Sequence, residues 1–255
     1  MIFESHAHYD ARAFDGDRDI LLNSLKENGI GGVINVGASL ETTRNTIALT
    51  ERYPFVYGAA GVHPSETGEL TEENFLRLKQ YCAHPNIVAV GEIGLDYYWK
   101  EPGKEIQKKW FERQLQLAGE MKLPVIIHSR DAAKDTLDMV RSVGAGEAGG
   151  VVHCFSYTKE TAREYLEMDF YFGIGGVVTF QNGKKLREVV EYIPMEKILL
   201  ETDSPYLAPV PYRGKRNSSL NLPLIVKEIA QIKGLDYDEV AETALQNTKK
   251  LFGIA

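Results

Sequence analysis

A chain of 255 residues, 44% hydrophobic and 25% charged, can bury a full core without disulfide staples, and its composition does not shift midway, so one barrel-sized domain over residues 1–255 is expected. A formal net charge of −7 argues against a module that grips nucleic acid through a broadly basic surface. The two cysteines, Cys82 and Cys154, supply neither a disulfide framework nor a Cys-x-x-Cys zinc pattern, and no leader-like start or bilayer-length apolar run is present, so the expectation is a cytoplasmic protein with no membrane contact and no obligate protein partner.

Short β-type runs alternate with amphipathic stretches throughout. A strand at Ile2–Ser5 precedes a helix at Asp17–Asn28; Gly32–Val36 precedes Leu40–Arg52; Phe55–Ala60 precedes Glu72–Cys82; Ile87–Ile93 precedes Lys104–Met121. The second half continues with Val125–His128 and Ala132–Val143, Gly150–Cys154 and Lys159–Met168, Phe170–Gly173 and Lys184–Tyr192, then Ile198–Glu201. A Pro- and Ser-rich stretch, Thr202–Asn221, leads into helices at Leu222–Lys233 and Tyr237–Leu251. Runs such as Val125-Ile126-Ile127 are β-branched, as buried parallel strands tend to be. Eight strand–helix alternations predict an α/β fold of the (β/α)8 TIM barrel type. A doubly wound sheet is the alternative, and the lack of Gly-x-Gly-x-x-Gly after the first strand counts against it.

Most of the six histidines follow strands. His6 and His8 end the first strand, His63 follows the third in Gly61-Val62-His63-Pro64, Glu92 ends the fourth, His128 the fifth and His153 the sixth, and Asp203 follows the eighth. A barrel opens all its C-terminal strand ends onto one face, where catalytic groups collect. Side chains two apart on a strand point the same way, so His6 and His8 form a two-nitrogen grip on a cation, with Glu4 expected on the same face below them. His128 and His153 offer a second nitrogen pair, and the two oxygens of Glu92 suit a bridge between cations. Each residue alone is more often incidental than a ligand; it is their joint placement at five strand ends that predicts a site for one or two divalent cations. Glu201, in phase with Asp203, is either an orienting carboxylate beneath the ligands or a satisfied interior group. Cys154 should face away from His153 as a small buried residue, and His84 falls in a solvated turn. These residues fit a nuclease, a hydrolase of another ester or amide, or, less well, a metal-stabilised interaction protein.

Ser5-His6-Ala7-His8, Gly61-Val62-His63-Pro64, Gly91-Glu92-Ile93-Gly94-Leu95-Asp96-Tyr97-Tyr98, Pro124-Val125-Ile126-Ile127-His128-Ser129-Arg130, His153-Cys154-Phe155-Ser156 and Glu201-Thr202-Asp203-Ser204-Pro205-Tyr206-Leu207 occur in order over nearly the whole chain. Together they resemble the successive motifs of the TatD family of metal-dependent deoxyribonucleases, which belong with the amidohydrolase-like barrels. The resemblance implies hydrolysis of DNA by a metal-activated water, exonucleolytic in mode, with Mg, Mn or Zn as the cation. It implies that His6, His8, Asp203 and Glu92 hold one metal, that Glu92, His128 and His153 hold the other, and that His63 lies near the substrate phosphate. In that setting Asp203 accepts the proton of the attacking water, His63 assists the leaving oxygen, and Arg130, Arg213, Lys215 and Arg216 are candidates to hold flanking phosphates. Three positions depart from the family pattern. Glu4 replaces Asp, Tyr157 replaces Gly and is expected to narrow the entrance, and Ser218-Ser219 replace Glu-Pro in a loop expected to touch substrate.

Overall fold

Parallel strands cannot be joined by tight turns, and here each crossover is made by a helix. The computed structural model describes residues 1–144 and 148–255. Among these the chain runs β1 (Ile2–Ala7), α1 (Arg18–Ser24), β2 (Ile30–Val36), α2 (Leu40–Arg52), β3 (Val56–Ala60), α3 (Glu72–Cys82), β4 (Ile87–Asp96), α4 (Lys104–Met121) and β5 (Val125–Arg130). It continues through α5 (Ala133–Val143), β6 (Gly150–Val152), α6 (Lys159–Glu167), β7 (Tyr171–Ile174), α7 (Lys184–Tyr192), β8 (Ile198–Leu200), α8 (Leu222–Lys233) and α9 (Tyr237–Phe252). The eight strands pair in chain order, each parallel to the next. Between β8 and β1 the ring is joined near the C-terminal ends, where Ala7 bridges Ser204, Asp203 N–H donates to His6 O at 3.0 Å and His8 N–H to Ser204 O at 2.8 Å. This is the (β/α)8 TIM barrel.

Two apolar layers hold it. Phe3, Ile34, Ala59, Ala89, Ile126, Val151, Tyr171 and Leu199, one from each strand, share an inner cluster with Leu251, Phe252 and Ile254. Asn247 of α9 donates to the Met195 and Ile198 carbonyls, both at 2.8 Å, which fixes the last helix at the N-terminal end of β8. The chain's end therefore closes the bottom of the barrel and leaves the opposite mouth open. A larger layer, with Leu22, Leu78, Phe111, Val189 and Ile229 among its members, packs helices against strands.

The helix starts follow local chemistry. Ser39 and Thr71 each accept from the backbone three residues on and receive a side chain in return, two reciprocal caps. The stretch expected to be one helix over Asp17–Asn28 instead divides into α1 and a 3-10 turn at Lys26–Asn28. Side chains compete for its carbonyls there: Ser24 Oγ donates to Leu21 O at 2.7 Å and Asn28 Nδ2 to Ser24 O at 2.8 Å. Among the described residues no helix is long and apolar enough to cross a membrane.

Candidate metal centre

Strand register carries His6 and His8 to the mouth but does not place Glu4 with them. The β1–β2 register is irregular between Glu4 and Ala7, which interrupts the alternation expected from sequence. The Glu4 carboxylate turns to the β8 side, where Oε1 accepts from Thr202 N–H (2.8 Å) and His6 N–H (3.2 Å), and Oε2 accepts from Thr202 Oγ1 (2.6 Å) and Ser219 Oγ (2.8 Å). Burial raises its pKa to about 8 against these four donors. Ser219, fully buried, also accepts from the Tyr9 hydroxyl at 2.7 Å. Two of the departures from the family pattern thus meet in one contact: the longer Glu4 reaches a serine hydroxyl. Ser219 is a buried tie between β1 and the loop before α8, and it is not among the cavity's lining residues. Removing its hydroxyl takes one of two side-chain donors from Glu4 Oε2 and leaves the buried Tyr9 hydroxyl without its acceptor, so Ser219→Ala should lower stability by about 1–3 kcal/mol in urea unfolding. An unchanged midpoint would remove Ser219 from the tie.

Glu92 stands at the centre of the mouth, buried, with its two oxygens facing different partners. Oε2 lies 3.5 Å from His6 Nε2 and 3.8 Å from His8 Nε2. Oε1 lies 2.8 Å from His128 Nδ1, 3.6 Å from His153 Nε2 and 4.0 Å from His63 Nε2. Asp203 closes the first set, its Oδ1 3.4 Å from His8 Nε2 and 3.9 Å from His6 Nε2. Its backbone is left-handed, with φ 56°, a conformation that Asp tolerates better than most residues.

Carboxylates and carbonyls behind the imidazoles set which nitrogen faces inward. His8 Nδ1 lies 2.8 Å from the Val36 carbonyl, an acceptor only, so it carries a proton and leaves Nε2 to the centre. Glu201 Oε1 is 3.1 Å from His153 Nδ1 and accepts from Cys154 N–H at 2.6 Å, so the carboxylate orients a candidate ligand rather than serving as interior filler. Gly173 makes room for it, since a Cβ there would lie 2.0 Å from Glu201 Oε2. Asp96 does the same for His128, with Oδ2 3.0 Å from Nε2. Asp96 was missed as a site residue although it lies within the quoted fourth-strand motif; β4 runs on to Asp96, and counting two-residue steps from Glu92 through Gly94 would have found it.

The electrostatics match cation binding. Burial disfavours charge on His8 and His153, yet Asp203 and Glu92 raise the first to about 9, and Glu201 and Glu92 the second to about 10. Burial also works to raise Glu92, but His153, His128 and His6 hold it well below the ordinary carboxylate range. The carboxylate field that draws protons onto these rings would draw divalent cations, and each such cation would displace protons. The buried donor set of imidazole nitrogens and carboxylate oxygens therefore fits such ions: donor atoms cluster in His6–His8–Asp203, in His6–His153–Glu201 and in His63–Glu92–His128, although the tautomer of His63 sets it apart from the rest.

His63 differs from the others. Its Nδ1 accepts from Ser65 N–H at 3.1 Å, which leaves the proton on Nε2, the nitrogen facing Glu92. Burial, with His128 adding to it, lowers its pKa to about 4, so the ring is neutral. Its inward atom is a donor rather than a lone pair.

Around these groups lies a cavity of about 760 Å³, whose lining includes His8, His63, Glu92, His128, His153 and Asp203. Arg130 also lines it, its guanidinium 3.9 Å from the Tyr98 ring centroid. Arg216 does not: it makes a two-pronged pair with Asp17 (2.7 and 2.6 Å) and donates to Ala13 O, so it clamps the loop to the α1 entry instead of facing substrate. Arg213 and Lys215 lie against Phe180 and Tyr212. Tyr157, expected to narrow the entrance, is not among the cavity's lining residues: its hydroxyl bonds Ser129 Oγ at 2.9 Å and ties the loop after β6 to β5. Cys154, expected to face away, lines the cavity because β6 ends at Val152 and Cys154 adopts φ 45°, where strand alternation no longer applies. His84 is half-buried and accepts from Asn86 N–H, a turn-forming role.

A parallel barrel that gathers imidazoles and carboxylates at its C-terminal strand ends has the layout of a metal-dependent enzyme. Residues 3–253 match the family described as TatD related DNase, and the chain belongs to that family. It is 41% identical over its full length to the full length of the uncharacterized metal-dependent hydrolase YabD of Bacillus subtilis. It is 33% identical, again over all of both chains, to the 3'-5' ssDNA/RNA exonuclease TatD of Citrobacter koseri. Among solved structures, the TatD homologue YjjV of Escherichia coli superposes with a TM-score of 0.95 at 30% identity, covering 100% of this chain and 98% of that one. The protein is a metal-dependent hydrolytic enzyme.

Proposed function

We propose that the chain cleaves phosphodiester bonds of DNA from an end. In this reading His6, His8 and Asp203 with Glu92 hold one divalent cation, and Glu92, His128 and His153 hold a second. The observation that carries it is the divided Glu92 carboxylate, each oxygen turned to a different imidazole set. The lining supports the need for cations: Asp10, Glu92, Asp96 and Asp203 face it, and once His8 and His153 give up their protons to act as ligands, Arg130 alone would be left to offset those carboxylates before a phosphodiester. Bound there, divalent cations acidify a water and neutralise charge on the nonbridging phosphate oxygens.

The protein's own groups supply the rest. Asp203 stays ionised near neutral pH, because His8, His153 and His6 outweigh the burial that would raise it, and so accepts the water's proton. His63, neutral and with its Nε2–H turned inward, donates a hydrogen bond to the departing oxygen. That is a lesser task than full proton transfer, which its low pKa does not suit. Arg130 holds a neighbouring phosphate. The name of the Citrobacter koseri relative supports an exonuclease with a single-stranded substrate.

The test is a panel of single-stranded DNA, duplex DNA, RNA and a chromogenic phosphodiester, each with and without added Mn or Mg. Shortening of single-stranded DNA from one end in the presence of metal is expected. Inertness toward every phosphodiester, with hydrolysis of another ester or an amide, would replace this reading.

A further inference from the structure

Large aromatic side chains are normally buried, yet two stand in the open at the mouth. Trp99 is 52% exposed and Tyr206 59% exposed, and both line the cavity over the metal centre. They come from the loops after β4 and after β8, four strands apart in a ring of eight, so they occupy opposite rims. Their backbones are anchored. Tyr206 N–H donates to Asp203 O at 2.8 Å and its carbonyl accepts from Asn217 Nδ2 at 2.8 Å. Before Trp99, Tyr97 N–H donates to Arg130 O at 2.9 Å and Tyr98 N–H to Asp96 Oδ1 at 3.0 Å. The Tyr206 ring lies 6.5 Å from the His8 ring, and Trp99 meets Tyr98 edge-on at 5.1 Å, with Arg130 on that same Tyr98.

We infer that Trp99 and Tyr206 are specificity-determining residues that stack the two nucleobases flanking the scissile phosphodiester, so that the enzyme selects unpaired nucleic acid. The inference rests on the phosphodiesterase reading above. Each element of the rim suits such a strand. Flat aromatic faces accept any base, while Arg130 and the cations below meet the backbone charge. A paired base has its faces covered by its neighbours in the duplex stack, so a duplex end must fray before it fits.

The experiment compares the metal-loaded enzyme on a single-stranded oligonucleotide and on the same backbone with abasic positions flanking the cleaved bond. Wild type should prefer the normal strand by about 10-fold or more in kcat/KM, mainly through KM. Trp99→Ala or Tyr206→Ala should bring that ratio toward one, and Trp99→Phe should keep most of it. Because the readout is a ratio, general damage to the fold lowers both substrates and leaves it high, and a ratio that stays high in both alanine variants overturns the inference. So does a wild-type ratio near one. A second measurement needs no turnover. Trp110 is 3% exposed, so quenching of indole emission by a non-hydrolysable phosphorothioate oligothymidylate reports Trp99. Quenching is expected with bases and absent with the abasic analogue; equal responses overturn the stacking. Cleavage of neither oligonucleotide, by contrast, overturns the phosphodiesterase reading itself.

Discussion

Stripping the enzyme with a chelator should abolish hydrolysis, and adding back Mn, Mg or Zn should restore it. The expectation follows from charge. Without cations the carboxylates Asp10, Glu92, Asp96 and Asp203 are offset by Arg130 and by protons on the imidazoles, which can neither acidify a water nor supply the net positive charge that hydrolysis of an anionic ester needs. The pH dependence of stripping has a definite direction. His8 and His153, raised to about 9 and about 10 in the metal-free protein, bind protons in competition with metal. Lowering the pH from 9 toward 6 should therefore ease metal loss, and raising it should tighten binding. Turnover and elemental content measured on the same samples check both statements. Full activity in protein shown to be free of metal would end the metal-dependent reading.

Asp203→Asn should reduce turnover by about 10³-fold or more, because one substitution removes a ligand charge and the proton acceptor. His63→Ala should leave metal content near normal and reduce turnover by about 10²-fold, the worth of a donor to the leaving oxygen. The contrast depends on the ring nitrogen each presents. His8, His128 and His153 face the centre with a carbonyl or a carboxylate behind them, whereas His63 has Ser65 N–H behind it and turns a proton inward. Metal content and steady-state rates for the two variants, run side by side, separate the roles. A metal-depleted His63→Ala enzyme would make His63 a ligand, and a fully active one would leave it as the cap of the 3-10 turn at Pro64–Glu69.

Where periodicity is strong the sequence already marks the elements: α2, α3, α4, α7 and α8 begin and end at the residues read from pattern alone. Strands were legible as β-branched runs, but their ends were not: β1, β4 and β5 run on past the residues read from pattern, while β6 and β8 stop short of them. Side-chain direction was less legible. Glu4 and Cys154 were placed by strict alternation, and an irregular register in β1 and a left-handed residue after β6 defeat that rule. Arg216, Tyr157 and Ser219 were read as groups near substrate because they sit in or beside motifs. Their partners, Asp17, Ser129 and Glu4, come from other parts of the chain, and no local pattern names them. Asp96 and Glu201 show the converse: each is in phase with a candidate ligand two residues away or four, but their orienting task requires His128 on the next strand and His153 at the end of the strand beyond the next.

The junction of β8 with β1 has a consequence for the timing of activity. A growing chain contains His6 long before Asp203, yet the two are joined directly, Asp203 N–H to His6 O. A chain that stops short of Asp203 cannot form the His6–His8–Asp203 group, because its closing carboxylate has not been made. The long-range contact that closes the ring of strands is thus also the one that brings this group together. Chains that stop before Asp203 should therefore show no hydrolysis, whatever the substrate.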